Sequence, residues 1–490
     1  MQNLETPEFP YLEGPRDYQQ EAFHAWTQNE MKGFFAMATG TGKTITALNC
    51  LLELYRQEGS YKCLILVPTI SLIEQWAREC ARFNFNRIVK ISSEERRWKD
   101  DLMSIVTGCY CNEAIVSYVV ICSYASFVKS ETFGRLEDLP DRTLLIADEA
   151  HNIGAPLLLR AIQRLNLSRK IGLSATPHRQ YDKLGNNVIN NFFNVKEKYT
   201  FEYPMSLAID NGVLCHYLYY PHIVRLNEDE MEQYLVLSRQ IAKFYNAESD
   251  DFTENPILTA LLLKRKRIIH KAYNKLNTFR HIISLLLKKN GNLDYTMVYV
   301  PEGYCPDSSY CQDIITTEDH DYIADEEDIP LIDLYTHIVS SANQFITVEQ
   351  FTSKESDREA ILNRFTNGKT QVLVAMKCLD EGVDIPRAEN AIFCASTGNP
   401  RQFVQRRGRI LRAHPDKPYA FIHDMVVVPF VDYNFESFRM ERSLLERELK
   451  RVSDFSSLAS NSSYTEDVLE DIIEYYDLNL CDDEQNRQYI

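Results

Sequence analysis

The sequence predicts an α/β fold with two tandem domains, each a parallel β-sheet flanked by helices. The chain has 490 residues, which is too long for one hydrophobic core. Short apolar strands alternate with amphipathic helical stretches in the first half, and the alternation resumes after residue 290. The segments predicted as strands are 33–38, 62–68, 115–122, 143–147, 170–173, 296–300, 345–351, 371–376, 389–395 and 418–423.

The same patterns divide the chain into four regions. We expect residues 1–222 to form the first α/β domain and residues 291–430 the second. Residues 223–290 should form a helical insert between them. Residues 431–490 should form a helical extension that ends in an acidic tail.

The insert carries a strongly basic stretch. A long helix is predicted from about Leu258 to Leu276, and residues 261–290 hold nine Lys or Arg and no acid. Such a run indicates either a solvated helix face or a contact with nucleic acid or another domain.

The negative charge is concentrated in two segments. The net charge is −17, but residues 301–333 hold eleven acids without Lys or Arg, and residues 455–490 hold nine acids and one Arg. These segments carry −11 and −8, so the remainder carries +2. A neutral to slightly basic remainder is compatible with binding a narrow path of phosphates. We expect a solvated loop and tail at the acidic segments, and the tail could also shield that path.

The chain contains no segment typical of a membrane protein. Its N-terminus lacks a basic start and an apolar core, and its apolar runs are too short to span a bilayer. We therefore expect a cytoplasmic protein without a membrane partner.

A phosphate-binding loop is predicted directly after the first strand. The segment Thr39-Gly40-Thr41-Gly42-Lys43-Thr44 joins that strand to a helix. Small residues let backbone N–H groups approach phosphates, and the helix N-terminus adds positive potential. Lys43 would contact the β- and γ-phosphates of ATP, and the Thr44 hydroxyl would bind Mg²⁺. Met37 stands where the general loop pattern has glycine, so that pattern is incomplete.

Two adjacent carboxylates end a later apolar strand. The run 144–147 is followed by Asp148 and Glu149. Asp148 is predicted to hold Mg²⁺ and Glu149 to polarise the attacking water. Together with the loop, these residues predict ATP and Mg²⁺ as cofactors.

The Asp-Glu-Ala-His box at 148–151, joined to the loop Met37–Thr44, resembles the helicases of superfamily two. The resemblance implies two RecA-like domains with ATP bound between them. It further implies adenine recognition by Tyr18 and Gln19. The segment Ser174-Ala175-Thr176, with His151, would couple hydrolysis to movement, and the predicted nucleic-acid contacts are Pro68, Thr69, Ser123 and Tyr124.

In the second domain, two further segments resemble helicase motifs. Gly382 and Asp384 lie in Gly-Val-Asp-Ile-Pro, and Gln405 begins Gln-Arg-Arg-Gly-Arg-Ile-Leu-Arg. All three would contact the nucleotide, and Arg409 and Arg412 would be arginine fingers. Many relatives have Ala-Thr where this chain has Ala375-Met376-Lys377, so the usual threonine contact is missing, and we expect Lys377 to contact a phosphate of the nucleic acid instead.

The phrases Cys-Leu-Asp-Glu-Gly-Val-Asp-Ile-Pro and Leu-Ser-Ala-Thr-Pro-His-Arg resemble the DNA helicases of the restriction and excision-repair group. Within that group, the chain is most similar to helicases of bacterial phosphorothioation restriction and anti-phage loci. The resemblance implies a 3′ to 5′ DNA translocase in restriction or antiviral defence. Two alternatives are an RNA helicase and a nucleotide-gated sensor or assembly subunit for a partner nuclease.

Overall fold

The computed structural model describes residues 6–93, 95, 97–179, 182–246, 251–252, 255–305, 329–352, 357–376, 385–395 and 400–480. The chain divides after Leu214 into two units. Each unit contains a parallel sheet with helices packed against it. The predicted α/β class with two tandem domains is confirmed.

The first unit is built around seven strands. They are β1 (Lys32–Met37), β2 (Lys62–Val67), β3 (Ile88–Ile91), β4 (Tyr118–Ser123), β5 (Leu144–Ala147), β6 (Arg169–Ser174) and β7 (Phe201–Tyr203). Their order in the sheet is β3-β4-β2-β5-β6-β1-β7, and all neighbours are parallel. The helices are α1 (Asp17–Gln28), α2 (Lys43–Glu58), α3 (Ile70–Arg82), α4 (Trp98–Asn112), α5 (Tyr124–Phe127), α6 (Ser130–Leu136), α7 (Pro156–Ile162), α8 (Lys183–Phe192) and α9 (Met205–Asp210).

The central strands of this sheet are continuous apolar runs because helices cover both faces. Every residue of β2, β4 and β5 is buried. The edge strand β3 instead alternates buried and half-buried residues, so it lacks the apolar run by which the other strands were predicted. Since parallel strands end at one edge of the sheet, the segments after β1, β2, β4, β5 and β6 gather there.

The second unit is built around a six-stranded sheet. The described strands of the whole unit are β8 (His216–Val224), β9 (Tyr245–Asn246), β10 (Asp251–Phe252), β11 (Thr296–Tyr299), β12 (Val348–Phe351), β13 (Val372–Ala375), β14 (Asn390–Phe393) and β15 (Tyr419–Val427). The sheet order is β12-β13-β11-β14-β15-β8, while β9 and β10 pair separately. The helices are α10 (Glu228–Ala242), α11 (Pro256–His270), α12 (Asn274–Asn290), α13 (Leu331–Ala342), α14 (Arg358–Thr366), α15 (Pro400–Ile410), α16 (Phe438–Ser457) and α17 (Ser462–Tyr476).

The division between the units lies earlier than the expected boundary at residue 222. Strand β8 belongs to the second sheet, where it pairs in parallel with β15 from His216 to Val224. Because this strand supplies one edge of the second sheet, the second unit begins at Cys215.

The prediction of one helix over Leu258–Leu276 is wrong. The chain forms α11 and α12 with a break between them. Helix α12 turns Phe279, Ile283 and Leu286 into the core of the second sheet, whereas α11 buries only Leu258 and Arg265. The chain therefore breaks between α11 and α12, because only α12 packs along its length against the core of the second sheet.

The C-terminal extension is a packed part of the second unit. Helix α16 buries Leu449 and Val452, and α17 buries Leu469 and Ile472. The expectation of a solvated tail is therefore wrong for α17, whose acids occupy its exposed side. Among the described residues, no helix combines the length and the apolar character needed to cross a membrane.

Candidate functional site

The loop after β1 has the backbone shape of a phosphate cradle. Gly40 and Gly42 adopt φ angles of 88° and 78°, which disfavour a side chain. Gly42 is also the N-cap residue of α2, so Lys43 and Thr44 open the helix. The Thr41 hydroxyl donates to the Ala38 carbonyl over 2.7 Å and holds the loop in this turn. The loop can therefore present backbone N–H groups to an anion.

Two residues of α1 support this loop from one side. The Tyr18 hydroxyl donates to the Thr41 carbonyl over 2.7 Å, and its ring stacks on Tyr203 of β7 at 4.2 Å. The Gln19 side-chain oxygen accepts from the Arg16 backbone N–H over 2.9 Å. This bond fixes the amide group of the buried Gln19 beside Gly42. The predicted adenine-binding pair therefore lies beside the loop, and Tyr18 is hydrogen-bonded to it.

The groups beside the loop fit ATP and Mg²⁺. The Lys43 ammonium lies within 3.5 Å of the Met37 and Ala38 carbonyls, at the end of β1. The Thr39 hydroxyl is buried and has no hydrogen-bond partner among the described residues. Thr44 is half-buried at the start of α2. An ammonium, two threonine hydroxyls and a glycine-rich turn form a donor set suited to phosphate and its cation.

Asp148 is held in a buried position at the end of β5. One carboxylate oxygen accepts from the indole N–H of Trp76 over 2.9 Å, and the other accepts from the Glu149 backbone N–H over 3.0 Å. Burial raises the pKa of Asp148, while the Trp76 hydrogen bond and the charge of Lys43 oppose that rise. A buried carboxylate in reach of a lysine's field is a suitable partner for a divalent cation.

Glu149 is linked directly to the predicted coupling segment. Its Oε2 lies 3.4 Å from His151 Nδ1 and 3.5 Å from Ser174 Oγ, and these last two atoms are 3.0 Å apart. Ser174 Oγ also accepts from the Thr176 backbone N–H over 3.1 Å. Glu149 itself has a φ of 45°, a strained conformation typical of functional sites. Any movement of 174–176 therefore acts on the carboxylate of Glu149.

The residues predicted to contact nucleic acid have different surroundings. Pro68 and Thr69 lie half-buried after β2, where the Thr69 hydroxyl is 3.0 Å from that of Ser71. Ser123 and Tyr124 are buried. Ser123 caps α5, and the Tyr124 hydroxyl donates to the Asp148 carbonyl over 2.7 Å. Tyr124 thus joins the β4 end to the carboxylate pair, an arrangement that no sequence pattern indicated.

In the second unit, Arg409 lies in the last turn of α15 and Arg412 lies two residues beyond its end. Arg409 and Arg412 are half-buried, as is Gln405. Burial lowers the pKa of Arg412 to about 10. Arg406 and Arg407, which lie between Gln405 and Arg409, are only 1% exposed. The predicted sites at Lys377, Gly382 and Asp384 lie outside the described residues.

The buried arginines have structural partners that the sequence did not reveal. The Arg406 guanidinium lies 4.8 Å from the centre of the Tyr299 ring, and that of Arg407 lies 4.2 Å from Phe455 of α16. Arg407 also donates to the Asp454 carbonyl at 3.4 Å. Trp76 was missed likewise, since a tryptophan in an amphipathic helix reads as core. A periodicity pattern shows that a residue is buried and does not show what its polar atom contacts.

Two family models and several curated relatives match this chain. Residues 13–179 match the family described as type III restriction enzyme, res subunit, and residues 325–414 match the helicase conserved C-terminal domain. The chain is 26% identical over 435 residues to DNA 3′-5′ translocase XPB2 of Sulfurisphaera tokodaii, covering 87% of this chain and 84% of that protein. It spans only 51 to 60% of the length of three further relatives.

Two solved structures share the fold. The Hef helicase domain of Pyrococcus furiosus gives a TM-score of 0.52 at 17% identity and covers 87% of this chain and 98% of its own. The DNA-bound type ISP restriction-modification enzyme LlaBIII gives 0.54 at 16% identity and covers 92% of this chain and 30% of its own. The two domain matches and the paired parallel sheets make this chain a superfamily-two helicase, an enzyme that hydrolyses ATP.

Proposed function

We propose that this protein couples ATP hydrolysis to movement along DNA in the 3′ to 5′ direction. The observation that carries the proposal is the contact of Glu149 with Ser174 and His151. Ser174 and His151 are predicted coupling residues. A water-activating carboxylate in contact with them can convert a change at the γ-phosphate into movement. The similarity to a 3′-5′ DNA translocase supports the choice of DNA and of direction.

The ATP site is assigned by residue. Lys43 and the loop from Thr39 to Thr44 would bind the phosphates, and Thr44 and Asp148 would hold Mg²⁺. The bound cation would offset the negative charge of the phosphates. Glu149 would orient and deprotonate the attacking water. From the second unit, Arg409 and Arg412 would stabilise the charge on the departing phosphoryl group, aided by Gln405, Gly382 and Asp384.

Thr69 and Lys377 are proposed to grip the nucleic-acid backbone, together with the backbone around Pro68 and Ser123. The Tyr124 hydroxyl is already engaged with Asp148, which favours a role in relaying that grip to the ATP site. Contacts with phosphates predict binding that depends on salt and not on base sequence.

A direct test compares ATP turnover with single-stranded DNA, duplex DNA and RNA, alongside displacement of a strand from tailed duplexes of both polarities. DNA should stimulate turnover, and only the 3′-tailed substrate should be displaced. The Glu149→Gln variant should bind ATP and lose at least 100-fold in turnover, since one transition-state group is worth roughly 10²–10⁴-fold. Stimulation by RNA alone would replace this proposal with an RNA helicase.

The match to a restriction-enzyme subunit supports a role in bacterial restriction or antiviral defence, with a nuclease as partner. It also favours a second candidate function, a nucleotide-gated subunit that assembles or releases that nuclease. Co-purification from the native host distinguishes the two. Partner release that follows nucleotide without strand displacement favours the gated subunit, and strand displacement by the isolated chain favours the motor. The narrower link to phosphorothioation loci stays a prediction.

A further inference from the structure

Lys417 lies in the turn between α15 and β15 and is only 2% exposed. Its ammonium donates to three backbone carbonyls: Pro386 at 2.7 Å, Ala388 at 3.0 Å and Ile410 at 2.9 Å. A lysine ammonium has three hydrogens, so these acceptors use all of its donor capacity. Burial of an ammonium is costly, and full pairing is the arrangement that tolerates it.

The three carbonyls belong to the end of α15 and to the turn 386–388. Ile410 is the last residue of α15, and a helix leaves its final carbonyls without partners within the helix. A cation there also interacts favourably with the helix dipole. Pro386 and Ala388 lie in the turn that follows the predicted nucleotide-binding residues Gly382 and Asp384. The Lys417 side chain therefore links the end of α15 to the turn that contains Pro386 and Ala388.

We propose that Lys417 is a positioning residue for Arg409 and Arg412 in ATP hydrolysis. The inference rests on the role proposed above for these two arginines. Arg409 precedes Ile410 and Arg412 follows it by two residues, while the Cys215 backbone N–H donates to the Leu411 carbonyl over 2.7 Å. The segment is thus fixed from two sides, and a shift of about 1 Å in a catalytic group can cost roughly 100-fold in rate.

The ionised form of Lys417 matters for this role. Burial lowers the pKa of Lys417 to about 8, opposed by Cys215 and Glu389, while the positive charges of Arg412 and Arg387 lower it further. The side chains of His414 and Asp416 in the same turn contact the Arg387 guanidinium. Loss of a proton above pH 8 removes one donor, so one of the three carbonyls is released.

The test uses the full chain and four variants. Lys417→Met removes the charge at similar length, Lys417→Arg keeps a cation, Lys369→Met is a control at an exposed lysine of the same unit, and Arg412→Ala tests the arginine assignment. Turnover, KM for ATP and thermal unfolding are measured from pH 6.5 to 9.5. We expect Lys417→Met to lower kcat about 10- to 100-fold with KM changed less than about threefold, since only the position of the arginines is affected. Lys369→Met should match the wild type.

The pH profile separates positioning from a general loss of stability. Wild-type kcat should fall as pH rises through about 8. Lys417→Arg should recover most of the activity and shift that fall to higher pH, because a guanidinium stays charged. An unchanged fall in Lys417→Arg, or wild-type kcat in a folded Lys417→Met, overturns the proposal. If Arg412→Ala keeps wild-type turnover, the arginine assignment fails, whatever the Lys417 variants show.

Discussion

The contact of Trp76 with Asp148 shows how a residue outside the recognised motifs shapes the proposed ATP site. The Asp148 carboxylate is buried, and its two oxygens accept from the Trp76 indole and the Glu149 backbone. The hydrogen bond from Trp76 favours the ionised form, which opposes the effect of burial on the pKa. Trp76 lies on α3, far from Asp148 in sequence, and helps to keep the carboxylate ready for a cation.

Replacing this tryptophan should weaken use of Mg²⁺. In Trp76→Phe an aromatic ring stays in the helix and the N–H is lost, so the pKa of Asp148 should rise further. We expect the Mg²⁺ concentration for half-maximal turnover to increase about 3- to 10-fold, as for loss of one hydrogen bond of about 1 kcal/mol. The increase should be larger at pH 6 than at pH 8, because protons compete with the cation.

Trp26→Phe is the matched control. Trp26 is also buried in the first unit, and its indole donates to the Lys170 carbonyl over 3.0 Å. It should lower thermal stability without changing the Mg²⁺ dependence. Equal Mg²⁺ requirements in both variants would show that the Trp76 bond serves packing alone.

At the scale of elements, α16 connects the C-terminal extension to α15. Arg451 of α16 pairs with Asp424 within β15 over 3.0 Å, and its guanidinium lies 4.0 Å from the Phe403 ring of α15. Tyr219 of β8 donates to the same Asp424 oxygen over 2.7 Å. One buried ionic cluster therefore joins β8, β15, α15 and α16.

Breaking this cluster should destabilise the second unit. In Arg451→Met the carboxylate of Asp424, which is fully buried, loses its cation, at a cost of roughly 3 to 5 kcal/mol in unfolding free energy. Denaturant unfolding would measure this, with the exposed Arg439→Met on the same helix as control, expected within about 0.5 kcal/mol of wild type. Adding Asp424→Asn should recover part of the loss, and a further loss instead would contradict the charge argument.

A pair of histidines joins β8 to β15. His222 Nε2 and His423 Nδ1 are 3.0 Å apart, and burial lowers their pKa values to about 4 and about 3. In the unfolded chain both would titrate near 6.5. Between about pH 6.5 and 4, the unfolded state binds more protons, so stability must fall as pH falls.

Thermal unfolding from pH 7.5 to 4.5 would test this. The unfolding free energy should decrease by up to about 1.4 kcal/mol per pH unit for each histidine. His222→Gln should reduce that slope, whereas His216→Gln, at the exposed start of β8, should not. A slope unchanged in His222→Gln would assign the acid sensitivity to carboxylates elsewhere.

At the scale of the whole molecule, charge is separated within an acidic chain of net charge −17. The basic run of the insert divides on folding: Arg265 is buried against Glu441 of α16 and the Tyr234 ring, while Lys264, Lys266 and Arg267 stay exposed. Arg265 pairs within the second unit, so the two interpretations of the run concern only its exposed neighbours. Arg265 is structural, and its exposed neighbours are available to phosphates.

These exposed cations should contribute to the salt dependence of DNA binding. The Lys264→Ala/Lys266→Ala variant should reduce the slope of log affinity against log salt by about 1.4, at roughly 0.7 per phosphate contact on single strands. Fluorescence anisotropy between 50 and 300 mM salt would measure it, with Lys369→Ala as control. An unchanged slope would indicate that this helix face is merely solvated.

The sequence alone determined the two parallel sheets, and it predicts which segments form the ATP site. Both depend on local information: apolar runs that must be buried on two faces, and short motifs whose spacing follows from a strand-to-helix turn. Strands β3, β7 and β8 escaped prediction because they lie at sheet edges, where burial alternates or the run is short.

Only the tertiary structure decided that β8 belongs to the second unit and that the predicted helix over Leu258–Leu276 is broken. It also decided that the acidic C-terminal segment packs as α17. It also decided the partners of Trp76 and Lys417. These contacts join residues distant in sequence, and a polar atom buried by the fold must find its partner wherever the packing places one. No local pattern encodes that partner, so it becomes known only when the elements are assembled.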